Sequence, residues 1–410
     1  MKQFFIFLFT GLSIAVLDLI DTAFGNQISL DSICVMSAMS ILYWCINCVC
    51  QIGEYAYTVK MKYENESFVL EMLATIICSI LVIIFRNHIS HIYNLTDMQY
   101  ELLNLCLLWK GLFIIFAKIE SFLYTYVELN CMNKQIIISN IIFYLTMIGL
   151  DAIVILLNGE CYHLIITTGI ADIITAIYLI VSSKFVKKIH RPKIHIIKEL
   201  INCSKDILVN NALGRVATII FNICASFLGT KYYALHSVGY SIATSMEAIT
   251  DRCCTYQVVK LKTINSIRTK YKIYKDTFKK TFIPTIIVCY LTAIMMVYPV
   301  KGTIGIKEAL IVTLMYNTQS IFIQPYENIR GFLISCEDTK SLRFGGLIGI
   351  FARFPISLIS IFTSIGIYGF AFGVSIDFMA RFIYWKYKAS NIVKKQTDMR
   401  KNFYERRFAK

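Results

Sequence analysis

The sequence predicts an all-α polytopic membrane protein of about 12 transmembrane helices, arranged as two six-helix halves related by a pseudo-two-fold along the membrane normal. Three observations predict it. The chain of 410 residues is 57% hydrophobic and only 16% charged, whereas a soluble domain is roughly half apolar and roughly a quarter charged. Apolar runs of spanning length recur along it, too long and continuous for barrel strands. Basic residues fill alternate connections between those runs, as the positive-inside rule requires.

The first run covers 4–24. Lys2 ahead of an apolar stretch looks like a secretory leader, but no small-x-small cleavage site precedes Asp18, so the segment is expected to be retained as the first span. The next five runs are 33–59, 68–92, 102–127, 136–157 and 163–185. A basic segment, 184–198, then interrupts, and six more runs follow at 207–228, 234–259, 277–300, 309–335, 344–365 and 368–387. The expected organisation is therefore an N-terminal lobe (1–183), a basic cytoplasmic linker (184–200), a C-terminal lobe (201–387) and a basic cytoplasmic tail (388–410). A shift of about 205 residues carries Asp172 onto Asp377 and Cys131 onto Cys336, and parallel repeats of six helices are a known transporter plan with the substrate site between them.

Charge orients the spans. With the N-terminus inside, the inner connections hold Lys60, Lys62, Lys134, the linker, Lys260 through Lys280, Lys340, Arg343 and the tail; the outer side holds only Arg86, Lys231, Lys301 and Lys307. Both termini are then cytoplasmic, in the inner (plasma) membrane. The same placement accounts for the formal net charge of +15 without a nucleic-acid partner. The expected partners are the lipid bilayer and a small-molecule substrate, with the chain acting as a monomer. The 14 cysteines fall almost wholly in apolar runs, where a thiol is a small buried hydrophobe. Cys45, Cys48 and Cys50 lack interleaved histidines or acids, so no metal centre is expected there.

Acids inside hydrocarbon are costly and mark function. The stretch 17–25, LDLIDTAFG, carries Asp18 and Asp21 three residues apart on one helix face. At 1.5 Å per residue, Asp21 lies roughly 26 Å outward on the first span, Asp151 roughly 23 Å outward on the fifth, and Asp172 roughly 14 Å below the outer surface on the sixth. Asp21, Asp151 and Asp172 are thus expected to share a layer, where they would share protons or bind a cation; the plainer alternative is acids at helix ends wetted by headgroups. Thr22 and Thr175 could add neutral oxygens.

The second half instead carries Arg215, Arg252, Arg330, Arg353 and Arg381 in or near spans. Glu247, Asp251, Glu327 and Asp377 stand at spacings that allow salt bridges along one helix face. Arg215, Glu247, Asn317, Gln319, Gln324 and Asp377 are the candidate lining of a polar substrate cavity, and Pro325 and Pro355 would loosen their helices. No P-loop, glycine-rich phosphate fingerprint or HExxH pair occurs. The chain is therefore not expected to be an enzyme or to hold a resident cofactor, and energy would come from an ion gradient.

Three stretches resemble the multidrug and toxic compound extrusion (MATE) family of the MOP flippase superfamily. LIDTAFG (19–25) resembles that family's first-helix aspartate-threonine with a trailing glycine; GTKYYALHSVGYSIA (229–243) resembles the start of its eighth helix; IGLDAIVIL (148–156) resembles its fifth-helix aspartate region. The resemblance implies an efflux antiporter driven by H+ or Na+, whose two lobes rock for alternating access. It also maps the coupling ion, Na+ included, onto Asp21 and Asp151. The chain departs from the pattern at Met147, where the family often has asparagine, and at Gly214 and Arg215, near where many members carry glutamate. The first helix also lacks the usual proline. A second reading, favoured by the arginines, is a flippase for lipid-linked saccharides; a third is an integral-membrane enzyme, against which stands the lack of a clustered catalytic set on a cytoplasmic loop.

Overall fold

The computed structural model describes residues 2–28, 30–90, 97–226, 230–301, 304–363 and 365–408. The helices of the first half are α1 (Lys2–Ile28), α2 (Leu30–Cys50), α3 (Ile52–Lys60), α4 (Glu64–Ser90), α5 (Asp97–Leu129), α6 (Asn133–Leu156) and α7 (Cys161–Ser183). Then come α8 (Ile194–Ser226), α9 (Thr230–Ser245), α10 (Glu247–Leu261), α11 (Ile267–Val300), α12 (Ile306–Asn317), α13 (Gln319–Ser335), α14 (Thr339–Phe362) and α15 (Ile367–Phe408). Among the described residues, each apolar run is helical over most of its length. Among the described residues α4, α5, α6, α7, α11, α14 and α15 are each long and apolar enough to cross a membrane.

Three runs expected as single helices are each split. The breaks fall at Gln51 between α2 and α3, at Met246 between α9 and α10, and at Thr318 between α12 and α13. They are local, since Gln51 N–H still donates to Asn47 O at 3.0 Å and Met246 N–H to Ile242 O at 3.2 Å. Pro325 and Pro355, by contrast, sit inside α13 and α14 without ending them. The basic segment is also more structured than a plain linker. A 3-10 turn covers Phe185–Lys188, and α8 begins at Ile194, just beyond Pro192. Asn65 clamps this connection, donating to His190 O at 2.9 Å and accepting from His190 N–H at 3.2 Å. Lys188 Nζ adds an ion pair to Glu64 at 2.9 Å.

The chain forms two compact units. The first-half unit comprises Ser13–Ile219 with Tyr298–Thr303; the second-half unit comprises Met1–Leu12, Ile220–Val297 and Ile304–Lys410. Within the first, α5 packs on α2, α4 and α7, and α6 on α7; within the second, α12 packs on α9 and α15, α13 on α10 and α15, and α14 on α15. Apart from the α4–α5 contact, these pairings correspond under the shift of about 205 residues seen in the sequence, which carries α2 onto α9–α10, α5 onto α12–α13, α6 onto α14 and α7 onto α15. Helix ends correspond too. After α5 and after α13 a left-handed residue, Cys131 (φ 59°) or Glu337 (φ 60°), turns the chain. In both cases the next amide bonds back five residues, Met132 N to Val127 O at 2.9 Å and Asp338 N to Leu333 O at 3.0 Å, which is the Schellman closure.

Polarity is distributed as lipid demands. On α4 the buried face reads Glu71, Thr75, Ser79 at four-residue steps, while Leu73, Ile77, Ile80 and Ile84 are exposed. On α11 the buried face is Thr277, Thr281, Thr285 and Cys289, with Ile283, Ile287 and Leu291 exposed. An exposed apolar stripe opposite a buried polar one is the reverse of a soluble amphipathic helix, because here the outer solvent is hydrocarbon.

Candidate functional site

Of the first-half acids, Asp151 on α6 is fully buried and accepts a short hydrogen bond from Thr167 Oγ on α7. Asp172 lies five residues further along α7, about 7.5 Å of helix rise, and is buried at 6% exposure. Thr175, one turn beyond it, is buried with its hydroxyl oxygen outside any hydrogen bond among the described residues. Asp18, Asp21 and Thr22 fall on the backbone of α1, and their side chains lie outside the described residues.

The structure adds a layer the sequence reading passed over. Lys118, on α5, is 2% exposed in the middle of an apolar span, and its Nζ stands 3.9 Å from Glu54 Oε1 on α3. Glu54 also accepts from Ser121 Oγ and, at 3.5 Å, from Gln51 Nε2. Its backbone N–H donates to Glu71 Oε2 on α4 at 2.7 Å. The approach of α3 to α4 depends on Gly53, where a Cβ would overlap the Ser67 carbonyl. Half-buried Glu120, two residues past Lys118, has Asp172, Glu54, Lys118 and Glu128 as its charged neighbours. A line of ionisable side chains therefore connects the Asp172 level of α7 to the Glu54–Lys118–Glu71 cluster. Lys118, Glu71 and Glu120 were findable. Each is a charge inside or at the edge of an apolar run, the same signal that selected Asp151.

In the second-half unit several of the described buried charges are paired with one another. Asp377 accepts from Arg381 Nε at Oδ1 and, at 3.0 Å, from Arg381 Nη2 at Oδ2, and Arg353 Nη1 stands 3.9 Å from the same Oδ2. The Arg353 guanidinium also lies 3.6 Å above the Phe221 ring, a desolvated cation–π contact. Arg330 pairs with Glu327, three residues before it, at 3.1 Å and with Asp251 of α10 at 3.2 Å. Glu247 is half-buried at the start of α10. Asn317, Gln319 and Gln324 are fully buried between helices of this unit, with Gln319 donating to Ala243 O at 2.8 Å and Gln324 to Thr281 Oγ at 3.1 Å. Arg215 falls in the first-half unit, its guanidinium stacked 4.8 Å from the Trp44 ring. The six candidate cavity residues are therefore not brought together within one unit.

No protein-family model and no curated protein sequence matches the chain. Solved structures do. An aspartate-to-asparagine mutant of the MATE transporter VcmN from Vibrio cholerae aligns with a TM-score of 0.71 at 13% identity, covering 96% of this chain and 97% of that one. A MOP-superfamily transporter from Pyrococcus furiosus, described as having a binding pocket of reverse polarity that suggests a different function, aligns with a TM-score of 0.73 at 12% identity, covering 96% and 95%. An outward-facing multidrug resistance MATE transporter gives 0.67 at 12% identity, covering 95% and 94%. The chain has the MATE transporter fold along nearly its whole length.

Proposed function

We propose that this chain is a multi-pass membrane transporter of the inner (plasma) membrane, exporting a small organic substrate by antiport against H+ or Na+. The single observation that carries the reading is Asp151, a carboxylate with no exposed surface on a helix of spanning length, held by Thr167 across the α6–α7 contact. A buried acid in such a helix is conspicuous unless it serves ion movement, and the fold is one that the MATE transporters use. Asp21, Asp151 and Asp172 are the proposed coupling residues, assisted by Asp18 and Thr22. Alternating access by the two lobes would link their occupancy to substrate release. Both termini are placed in the cytoplasm by charge.

Arg215 and Glu247 are the proposed substrate contacts. Asn317, Gln319, Gln324 and Asp377 shape the second-half unit from inside it. Flipping of a lipid-linked saccharide drew its support from the arginines, and that support is weaker because Arg330, Arg353 and Arg381 each have a carboxylate within 4 Å, at 3.1, 3.9 and 3.0 Å. The test is uptake or release of a panel of fluorescent organic cations and anions by proteoliposomes under an imposed proton or sodium gradient. Asp151→Asn and Asp21→Asn are expected to abolish gradient-driven movement while reconstituting normally. Undiminished gradient dependence in both variants would refute the assignment.

A further inference from the structure

The Glu54–Lys118–Glu71 cluster asks for a role of its own. Three helices, α3, α5 and α4, each bring one ionisable side chain to the same buried place. An uncompensated charge there would cost several kcal/mol, so the sum of the three matters more than any one pair. Two carboxyls and one ammonium balance only if a single carboxyl is ionised.

The hydrogen bonds say which one. Glu54 has acceptor contacts on both oxygens, from Ser121 Oγ and Gln51 Nε2, with the Lys118 ammonium 3.9 Å from Oε1. The side chains that bond to its oxygens are donors and the ammonium adds a positive charge, which is the environment of a carboxylate. Glu71 differs. Its Oε2 accepts the Glu54 backbone N–H at 2.7 Å, its buried Oε1 has no hydrogen-bond partner by geometry among the described residues, and the Glu54 carboxyl is its like-charged neighbour. The one donor suits a carboxyl that keeps its own proton on the second oxygen. The ionisable groups around Lys118 are Glu54, Tyr43, Glu71 and Cys50, with Glu120 and Cys48 beside them. Glu120 in turn faces Asp172 and Glu128.

We infer that Lys118 is a built-in cation standing where a pair of buried carboxylates would otherwise recruit a metal ion, leaving Glu71 to carry one exchangeable proton, so that this cluster exchanges protons and not sodium. At 3.9 Å the ammonium is near enough to neutralise Glu54 yet beyond a hydrogen bond, so it supplies charge without locking the carboxylate. Glu120 has both Asp172 and Glu54 among its charged neighbours, so it stands between the Asp172 level and the cluster. The inference deepens the transporter reading, on which its meaning for coupling rests, and it selects H+ over Na+ as the ion this lobe handles.

Two measurements on the purified full chain test it, and neither requires transport. In pH-difference infrared spectra the wild type is expected to show a protonated-carboxyl C=O band that is lost in Glu71→Gln and kept in Lys118→Arg. In thermal unfolding, wild type is expected to respond equally to sodium chloride and choline chloride. Lys118→Ala is expected to unfold several degrees lower and to be rescued selectively by ethylammonium or sodium, while Lys118→Ala/Glu54→Gln, which leaves only the protonated Glu71 carboxyl, is expected to regain stability without either. The inference is overturned if Glu71→Gln leaves the spectrum unchanged, or if sodium stabilises the wild type and Glu71→Gln abolishes that effect. The latter result would leave a sodium-driven transporter standing, whereas absence of transport with both expectations met would remove the transporter reading and keep the proton site.

Discussion

Asp377 is where the charges of the second-half unit converge. Arg381 binds it along α15 and Arg353 approaches from α14, with all three side chains at most 7% exposed. Gly349 permits this, because a Cβ there would overlap both the Asp377 carboxylate and Arg381 Nε. Removing the carboxylate strands two guanidinium groups in a low-dielectric interior, so Asp377→Ala is expected to cost about 3–5 kcal/mol, read as a lower midpoint of thermal unfolding in detergent. A midpoint equal to the wild type would mean that both guanidinium groups find water. Part of this arrangement was legible in the sequence. Asp377 and Arg381 are four residues apart, and Glu327 and Arg330 three, and both pairs form as spacing suggests. Arg353 was not assignable to Asp377, nor Lys118 to Glu54, because those contacts join different helices and depend on small residues such as Gly349 and Gly53 that let helices close up. Asp251 shows the same limit. Its neighbour in sequence is Arg252, yet it pairs with Arg330.

Helices were legible where hydrocarbon dictates composition and illegible where a single residue interrupts them. The apolar runs named every spanning helix, but hydropathy is blind to the breaks at Gln51, Met246 and Thr318, since a break that keeps most backbone bonds changes no average. What hydropathy also omits is which helices touch. The α5–α7 contact can be tested directly, because Cys106 and Cys161, both fully buried, hold their sulfur atoms 3.8 Å apart. That is one small side-chain movement from bonding distance. In a variant keeping only these two cysteines, copper-phenanthroline with dissolved oxygen as oxidant is expected to convert both thiols to one disulfide. Counted after denaturation by mass-tagging with a maleimide polymer, two tags per chain should fall to none. Two tags persisting under full oxidation would place α5 and α7 in a different register.

For the molecule as a whole, orientation follows from charge and decides what each buried group can exchange with. The connections read as inner carry Lys60, Lys134, Lys187, Lys188, Lys262 and Lys340, whereas the α6–α7 turn at Leu157, Asn158 and Gly159 carries no basic residue. Each Lys or Arg resists translocation, so the proposed orientation keeps the basic side in the cytoplasm. The two ends of the sixth span give the sharpest contrast, because both are exposed and ordered: Asn158 sits in a left-handed turn (φ 52°) and Lys187 in the 3-10 turn after α7. In a cysteine-free background, Asn158→Cys is expected to react with a membrane-impermeant maleimide in intact cells. Lys187→Cys is expected to react only after the membrane is opened. The opposite pattern would invert the protein, placing the Glu54–Lys118–Glu71 cluster toward the outside. Equal labelling of both positions in intact cells would mean that α7 does not cross the membrane, which the depth assigned to Asp151 and Asp172 requires it to do.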